Sequence, residues 1–143
     1  MKTLILGAAV LLTAGLAADL SLIQPNEAAA QLASKARRTV VFQIGPNVLY
    51  RSKHIPGAVY AGPASRPEGL ALLKTALDKL PRDSQVVVYC GCCPWDHCPN
   101  VKPASELLKQ MGFTHAKILY LETGFAKDWI EKGYPVESGT AAQ

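Results

Sequence analysis

Residues 86–100 read VVVYCGCCPWDHCPN, and the other elements of the chain can be placed around this stretch. Three valines and Tyr89 form a short apolar run of the kind that makes a buried strand. The run ends at Cys90, all four cysteines of the protein lie between Cys90 and Cys98, and a helical pattern begins near Pro103. In an open α/β sheet, ligands bind beyond the carboxyl end of a strand, where a loop leads into the next helix. The free backbone N–H groups of the first helical turn point towards this loop. We therefore expect the chemistry of this protein at the cysteine-rich loop.

Strand-like and helix-like segments alternate on both sides of this stretch. β-Branched and apolar runs predict strands at residues 20–23, 39–44, 59–60, 86–89 and 117–121. Apolar periodicity, with Pro at helix starts and Gly at helix ends, predicts helices at residues 25–33, 50–53, 66–80, 103–111 and 125–132. In the third of these helices we expect one inward face, made of Leu70, Leu72, Leu73, Ala76, Leu77 and Leu80. The alternation is typical of one α/β domain whose parallel sheet is covered on both faces.

The N-terminal residues have the pattern of an export signal. Lys2 is followed by an uncharged apolar stretch at residues 4–17, and small residues up to Ala18 offer a cleavage site. These features predict a secretory signal peptide at residues 1–18 and a mature domain at residues 19–143, exported to the periplasm or the cell exterior. Because the apolar stretch is short for a membrane span, we expect no stable membrane insertion after cleavage. The alternative is an uncleaved N-terminal anchor.

The charge and the cysteine content narrow the class of function. The formal net charge is +4, and the basic residues are scattered, so we expect an ordinary solvated surface and no nucleic-acid partner. In an exported protein, four cysteines usually indicate two structural disulfides. A structural disulfide, however, stabilises a fold most when it closes a long loop. These four cysteines lie too close together in the sequence to join distant elements. They indicate local chemistry instead.

Four ordered motifs are similar to those of single-domain rhodaneses. His54-Ile55-Pro56-Gly57-Ala58 matches the family's turn motif, and the run at 86–89 followed by Cys90 matches the strand that delivers the catalytic cysteine. The helix after the active-site loop is matched by Leu107-Leu108 and Gly112-Phe113, and the closing signature by Gly124, Trp129 and Gly133-Tyr134-Pro135. The chain therefore resembles this family over about residues 20–137.

The resemblance implies both a fold and an activity. The fold is the three-layer rhodanese-like α/β fold, in which a central five-stranded parallel sheet carries helices on both faces. The activity is sulfur transfer, in which Cys90 attacks a sulfur donor, carries the extra sulfur as a persulfide and passes it on. The implied partners are a small sulfur donor and a thiol acceptor or a redox protein, and no cofactor is required.

The chain departs from the family at the loop and at the end of the second strand. The loop is longer than usual and rich in cysteine, and Asn100 aligns with the Arg or Lys that steadies the sulfur anion in the family. The nearest downstream cation is Lys102, and Gln43 and Gly45 replace the family's Asp and Arg. We therefore expect weak turnover of thiosulfate, with small persulfides or a protein partner as the natural sulfur source.

We assign catalysis to Cys90, because the strand holds its backbone whereas the other cysteines lie on the loop. Gly91 lets the chain turn sharply, and we expect the loop amides and a helix N-terminus to lower the pKa of the Cys90 thiol. The other active-site-loop candidates are Cys92, Cys93, Trp95, Asp96, His97, Cys98, Asn100 and Lys102. We expect Trp95 either to cover the site or to pack against it, and Trp129 to lie in the core. We expect His54 to be a turn residue that hydrogen-bonds its own backbone rather than a base.

Two other classes of function use the same loop. Cys90 and Cys93 form a C-x-x-C pair suited to thiol–disulfide exchange, and Cys93 or Cys98 would then resolve a persulfide on Cys90. The loop is also compatible with a non-catalytic module that binds a partner or a soft metal. Its candidate ligands for Cu(I) or Zn are Cys90, Cys92, Cys93, His97 and Cys98. We do not expect Cys92 and Cys93 to bond to each other, since a vicinal disulfide strains the intervening peptide.

Overall fold

The computed structural model describes residues 20–34 and 36–139. The predicted signal peptide at residues 1–18 lies outside this range. Among the described residues, no helix has both the length and the apolar character needed to cross a membrane.

The sheet has five parallel strands, as predicted. They are β1 (Ser21–Ile23), β2 (Thr39–Gln43), β3 (Val59–Tyr60), β4 (Gln85–Tyr89) and β5 (Ala116–Leu119). Their spatial order is β1-β5-β4-β2-β3, so the chain crosses over between successive strands. β4 is the central strand, because Phe42 of β2 and Ile118 of β5 both lie opposite Val88. The cysteine-rich loop therefore leaves the sheet from its middle.

Helices cover both faces of the sheet. They are α1 (Pro25–Ala33), α2 (Asn47–Ser52), α3 (Pro67–Leu77) and α4 (Val101–Gln110), with a 3-10 turn at Trp95–His97 and a π-helical turn at Ala126–Ile130. Each predicted helix corresponds to one of these elements, although their bounds differ from the prediction.

Local hydrogen bonding explains several of the shifted bounds. α4 begins at Val101, because Pro103 falls in the first turn, where a backbone N–H has no acceptor within the helix. α3 ends at Leu77, because the following residues form a tighter turn in which the Leu80 N–H bonds the Leu77 carbonyl at 3.0 Å. α2 begins at Asn47, three residues earlier than predicted, and the π-helical turn is shorter than the helix predicted at 125–132.

The alternation of side chains along β4 determines which layer receives Cys90. Val86, Val88 and Cys90 are buried in the apolar layer beneath α3 and α4, whereas Val87 and Tyr89 are buried in the opposite layer with α1 and the π-helical turn. Both faces of a central parallel strand are covered, which explains the continuous apolar run. Trp129 is 1% exposed and lies in the second layer, which confirms its predicted place in the core.

The predicted inward face of α3 was too wide. Gly69, Leu73 and Leu77 are buried at intervals of four residues, which is one helical stripe. Leu72 is 51% exposed, so the prediction that it faces the core was wrong. Leu72 lies about 100° around the helix from Leu73, outside the stripe that the sheet covers.

Candidate functional site

Cys90 is held rigidly at the carboxyl end of β4. Its side chain is 4% exposed. The Gln43 side-chain amide donates a hydrogen bond to the Cys90 carbonyl at 3.2 Å, and its own carbonyl oxygen accepts one from the Gly45 N–H, also at 3.2 Å. A Cβ at Gly45 would lie 2.7 Å from the Cys90 carbonyl oxygen and 3.1 Å from its Sγ. At the end of β2, Gln43 therefore supports the backbone of Cys90, and Gly45 leaves room for Cys90.

The turn after Cys90 needs glycine. Gly91 has a φ of +75°, in the left-handed region that favours glycine. A Cβ at this position would lie 2.7 Å from the Cβ of Phe125, and the Gly91 carbonyl accepts a hydrogen bond from the Phe125 N–H at 3.3 Å. The chain thus turns sharply out of the strand while remaining packed against the segment that precedes the π-helical turn.

The enlarged loop folds back over the end of the sheet. Its 3-10 turn begins at Trp95, whose N–H donates to the Glu122 carbonyl at 3.0 Å and whose ring packs on Tyr120 with centroids 5.0 Å apart. Trp95 therefore packs beside the site, which was one of its two predicted roles. With Trp95 anchored in this way, Cys98 lies close to Cys90 at the carboxyl end of β4.

The result is a compact group of four free thiols, which we call the four-thiol cluster. The Sγ atoms of Cys90, Cys92, Cys93 and Cys98 all lie within 4.8 Å of one another. The shortest contacts join Cys92 to Cys93 at 2.7 Å and Cys92 to Cys90 at 3.0 Å. Cys90 is buried, and the other three thiols are half-buried.

Asn100 provides a hydrogen-bond donor to this cluster. It is 2% exposed, and its Nδ2 donates to Cys90 Sγ at 3.2 Å and more weakly to Cys92 Sγ at 3.9 Å. The Ser65 N–H donates to Asn100 Oδ1 at 2.8 Å. Since a backbone N–H can only donate, this contact turns the amide oxygen away from the sulfurs and the NH₂ group towards them.

The environments of Cys90, Cys93 and Cys98 shift their pKa values in different directions. A hydrogen bond from the Cys90 thiol, together with the backbone N–H groups of Asn100 and Val101, lowers the pKa of Cys98 to about 6. Donation of that bond and burial raise the pKa of Cys90, whereas burial foremost raises the pKa of Cys93 to about 12. Of these three thiols, Cys98 therefore loses its proton at the lowest pH. We predicted that the loop amides lower the pKa of Cys90. The Cys92 N–H does act in that direction, but the hydrogen bond to Cys98 and burial outweigh it, so the pKa of Cys90 is raised instead.

Several predicted loop residues lie outside the cluster. Asp96, His97 and Lys102 are exposed, and neither Asp96 nor His97 belongs to the group of ligand atoms that lie within 4.8 Å of one another. His54 is buried elsewhere: its Nδ1 contacts the Tyr50 carbonyl at 2.6 Å and its Nε2 contacts Glu137 at 3.1 Å. It is a structural residue of the turn, although its partners are not its own backbone.

A small cavity leads to Cys90 from another direction. Its volume is about 170 Å³. The walls are largely apolar, with Gln43, Ser52 and Lys53 as polar residues. They comprise Gln43, Leu49, Ser52, Lys53, Tyr89, Cys90, Gly91, Phe125, Ala126 and Ile130. Several of these side chains belong to the apolar layer opposite the four-thiol cluster. A small ligand can therefore approach the strand end from the side away from the loop cysteines.

Sequence reasoning missed three parts of the site. Ser65 orients Asn100 through its backbone, and Glu122 and Tyr120 anchor Trp95. Backbone donors and acceptors carry no signal in the residue type. The aromatic Tyr120, at the end of the last predicted strand, was the one visible hint.

Solved structures share this fold at low sequence identity. A rhodanese-like domain from Anabaena is 20% identical, with a TM-score of 0.63 over 82% of this chain and 78% of that one. A Bacillus halodurans protein is 17% identical, with a TM-score of 0.64 over 85% of this chain and 79% of that one. A thiosulfate sulfurtransferase from Pseudomonas aeruginosa is 23% identical, with a TM-score of 0.60; the match covers 84% of this chain but 20% of that one.

At these low identities the solved structures show only the fold. The family is assigned by comparing the sequence with family models. No curated protein sequence matches the chain significantly. The family model described as "Rhodanese-like domain" matches residues 24–132, from the residue before α1 to just beyond the π-helical turn. This range contains the whole of the four-thiol cluster and four of the five strands. The chain belongs to the rhodanese-like domain family.

Proposed function

We propose that this protein transfers sulfane sulfur through a persulfide on Cys90. The observation that carries the proposal is the environment of Cys90 Sγ. The atom lies at the end of the central strand of a rhodanese-like domain, accepts a hydrogen bond from Asn100 Nδ2 at 3.2 Å, and belongs to a residue that lines a cavity. A fixed amide donor stabilises the negative charge that develops when sulfur is loaded.

The donors at the sulfurs favour a sulfur source of low charge. The side-chain amide of Asn100 and the backbone N–H groups of Asn100 and Val101 are neutral. The resemblance to single-domain rhodaneses aligns Asn100 with a position that is usually Arg or Lys. Neutral dipoles stabilise a singly charged persulfide but compensate a dianion such as thiosulfate less well than a guanidinium does. We therefore propose small organic persulfides, or a persulfide on a protein partner, as the donors.

The transfer consists of two balanced displacements. Cys90 attacks the outer sulfur of a donor RSSH, a new S–S bond forms on Cys90 as the donor S–S bond breaks, and RSH leaves. As Cys90 attacks, its proton passes along the hydrogen bond to the Cys98 thiolate. The leaving RS⁻ takes the proton of the outer sulfur, so that Cys90 carries a persulfide anion. An acceptor thiol then removes the outer sulfur together with the proton of that thiol, and the Cys90 thiolate recovers its proton from Cys98.

Thiol–disulfide exchange is a second candidate, and one contact favours it. Cys92 Sγ lies 3.0 Å from Cys90 Sγ, whereas the C-x-x-C pattern paired Cys90 with Cys93. Attack of the Cys92 thiol on the inner sulfur of a Cys90 persulfide would give a Cys90–Cys92 disulfide and release H₂S. The two thiols are oxidised and the sulfane sulfur is reduced, so the step needs no further oxidant.

Intact mass spectrometry separates the two functions. The reduced protein is mixed with a small organic persulfide and sampled before any reductant is added. A gain of one sulfur atom in the wild type, lost in Cys90→Ser and kept in Cys98→Ser, supports the transfer proposal. A loss of two hydrogens with no sulfur gain supports disulfide chemistry, and sulfur loading in Cys90→Ser contradicts Cys90 as the carrier.

We also propose that the protein acts after export, in the periplasm or outside the cell. The proposal rests on the apolar N-terminal pattern, which lies outside the described residues. N-terminal sequencing of protein from its native host tests it. We expect a mature chain that begins near Ala18 or Asp19, and an intact Met1 would contradict cleavage.

A further inference from the structure

We propose that the four-thiol cluster, Cys90, Cys92, Cys93 and Cys98, also binds one thiophilic d¹⁰ cation, Zn²⁺ or Cu⁺. The bound ion withdraws Cys90 from sulfur transfer. The metal site stands on the geometry of the sulfurs alone, whereas the withdrawal of Cys90 rests on the proposed function.

The dimensions of the cluster suit a tetrathiolate. A Zn–S bond of about 2.3 Å places the sulfurs of a tetrahedral site about 3.8 Å apart. The four Sγ atoms lie within 4.8 Å of one another, and the shortest pair, Cys92 and Cys93, is 2.7 Å apart. Changes of about 1 Å in the separation of each Sγ pair would therefore complete the tetrahedron. Rotation of the side chains on the loop can supply these changes.

The chemistry of the ligand set selects soft ions. The cluster offers four sulfurs, and neither a carboxylate nor an imidazole belongs to it among the described residues. Asp96 and His97, the nearest candidates in sequence, are exposed. Mg²⁺ and Ca²⁺ require oxygen ligands, whereas tetrahedral sulfur sites take Zn²⁺ and thiolates also select Cu⁺.

The ligands are held in advance of binding. β4 fixes Cys90, and the turn anchored by Trp95 fixes the path of the chain to Cys98, three residues before α4. Three of the four thiols are half-buried, so an ion can enter from solvent. Asn100 supplies the outer contact that thiolate ligands usually have, since its Nδ2 reaches Cys90 Sγ at 3.2 Å and Cys92 Sγ at 3.9 Å.

Metal binding and sulfur transfer require the same atom. Binding replaces thiol protons by metal–sulfur bonds and releases up to four protons to solvent, without electron transfer. The lone pair of Cys90 Sγ that would attack a donor is then committed to the ion. A protein with an occupied cluster should take up sulfur only after the ion leaves.

Cobalt titration tests the site directly. The reduced, metal-free full chain is titrated with Co²⁺, whose tetrahedral thiolate complexes have strong visible bands and a sulfur-to-metal charge-transfer band. We expect saturation at one equivalent, followed by loss of the bands when Zn²⁺ or Cu⁺ displaces cobalt. Absence of the charge-transfer band together with absence of Zn²⁺ or Cu⁺ binding would overturn the site.

Variants identify the ligands. Loss of an outer-shell contact weakens metal binding about 10–100-fold, so loss of a ligand in Cys92→Ser or Cys93→Ser should weaken it by at least about 100-fold. His97→Ala, in the same loop but outside the cluster, should bind as the wild type does. Circular dichroism confirms that each variant is folded. Unchanged affinity in both serine variants would contradict the assignment.

Sulfur loading then tests the consequence separately. In the wild type, loading by an organic persulfide should fall in proportion to the fraction of protein that carries Zn²⁺ and should recover with a chelator. Metal binding without any effect on loading would overturn the withdrawal of Cys90. Absence of loading in metal-free protein would refute the proposed function and leave the metal site standing.

Discussion

The contact between Asn100 and Cys90 makes a quantitative prediction. Asn100→Asp keeps the oxygen that accepts a hydrogen bond from the Ser65 N–H at 2.8 Å, so the side chain stays in place. It replaces the Nδ2 donor, 3.2 Å from Cys90 Sγ, by a second carboxylate oxygen. Asn100→Ala removes the donor without adding a charge. Together the two variants separate loss of a donor from addition of an anion.

The expected size follows from the geometry. A hydrogen bond to a charged group contributes about 1.5–3 kcal/mol. Because about 1.4 kcal/mol corresponds to a tenfold change in rate, Asn100→Ala should load sulfur about 10- to 100-fold more slowly. Two like charges 3.2 Å apart repel by about 5 kcal/mol at an effective dielectric constant of about 20. Asn100→Asp should therefore be slower still, and its pH profile should shift to higher pH.

The assay is a quenched time course of loading with a small organic persulfide at several pH values, followed by intact mass. Asn26→Asp is the matched control, because it makes the same substitution at an exposed position on α1. Its rate and pH profile should equal those of the wild type. If Asn100→Asp loads as fast as the wild type with the same profile, the amide does not stabilise the sulfur anion.

Three further predictions address packing and ionisation. Gly45→Ala places a Cβ 2.7 Å from the Cys90 carbonyl oxygen, so we expect slower loading and a loss of about 1–3 kcal/mol in the free energy of unfolding; unaltered loading and unfolding would contradict the close approach. In denaturant unfolding, Leu73→Ala should lose about 2–5 kcal/mol, whereas Leu72→Ala, on the exposed side of α3, should lie within about 0.5 kcal/mol of the wild type. Alkylation of Cys98 should slow as pH falls through about 6, because its pKa is lowered and the thiolate reacts. A midpoint near that of a free thiol, about 8.5, would contradict the hydrogen bonding at Cys98.

The sequence sufficed for the fold because its periodicities are strong. A continuous apolar run ending at Cys90 predicts a strand buried on both faces, and β4 is that strand. The residues of a helix that face the sheet were predicted less accurately. Leu72 satisfies a broad helical pattern, yet the sheet covers a narrower stripe of α3.

The site was predictable in composition but not in arrangement. Spacing placed the four cysteines in one loop, whereas their convergence depends on the contacts of Trp95 with Glu122 and Tyr120, which follow it by more than twenty residues. The lowered pKa of Cys98 depends on a hydrogen bond from the Cys90 thiol and on the backbone N–H groups of Asn100 and Val101. These contacts cannot be read from residue types. The donor at Cys90 likewise required the Ser65 N–H that orients Asn100.

The most direct test of persulfide transfer is to locate the sulfur. Wild-type protein is loaded with a small organic persulfide, its thiols and persulfides are alkylated, and the peptides are mapped by tandem mass spectrometry. The account predicts one additional sulfur on Cys90, absent from Cys92, Cys93 and Cys98. Additional sulfur on Cys98 with an unmodified Cys90, or no additional sulfur on any cysteine, would contradict it.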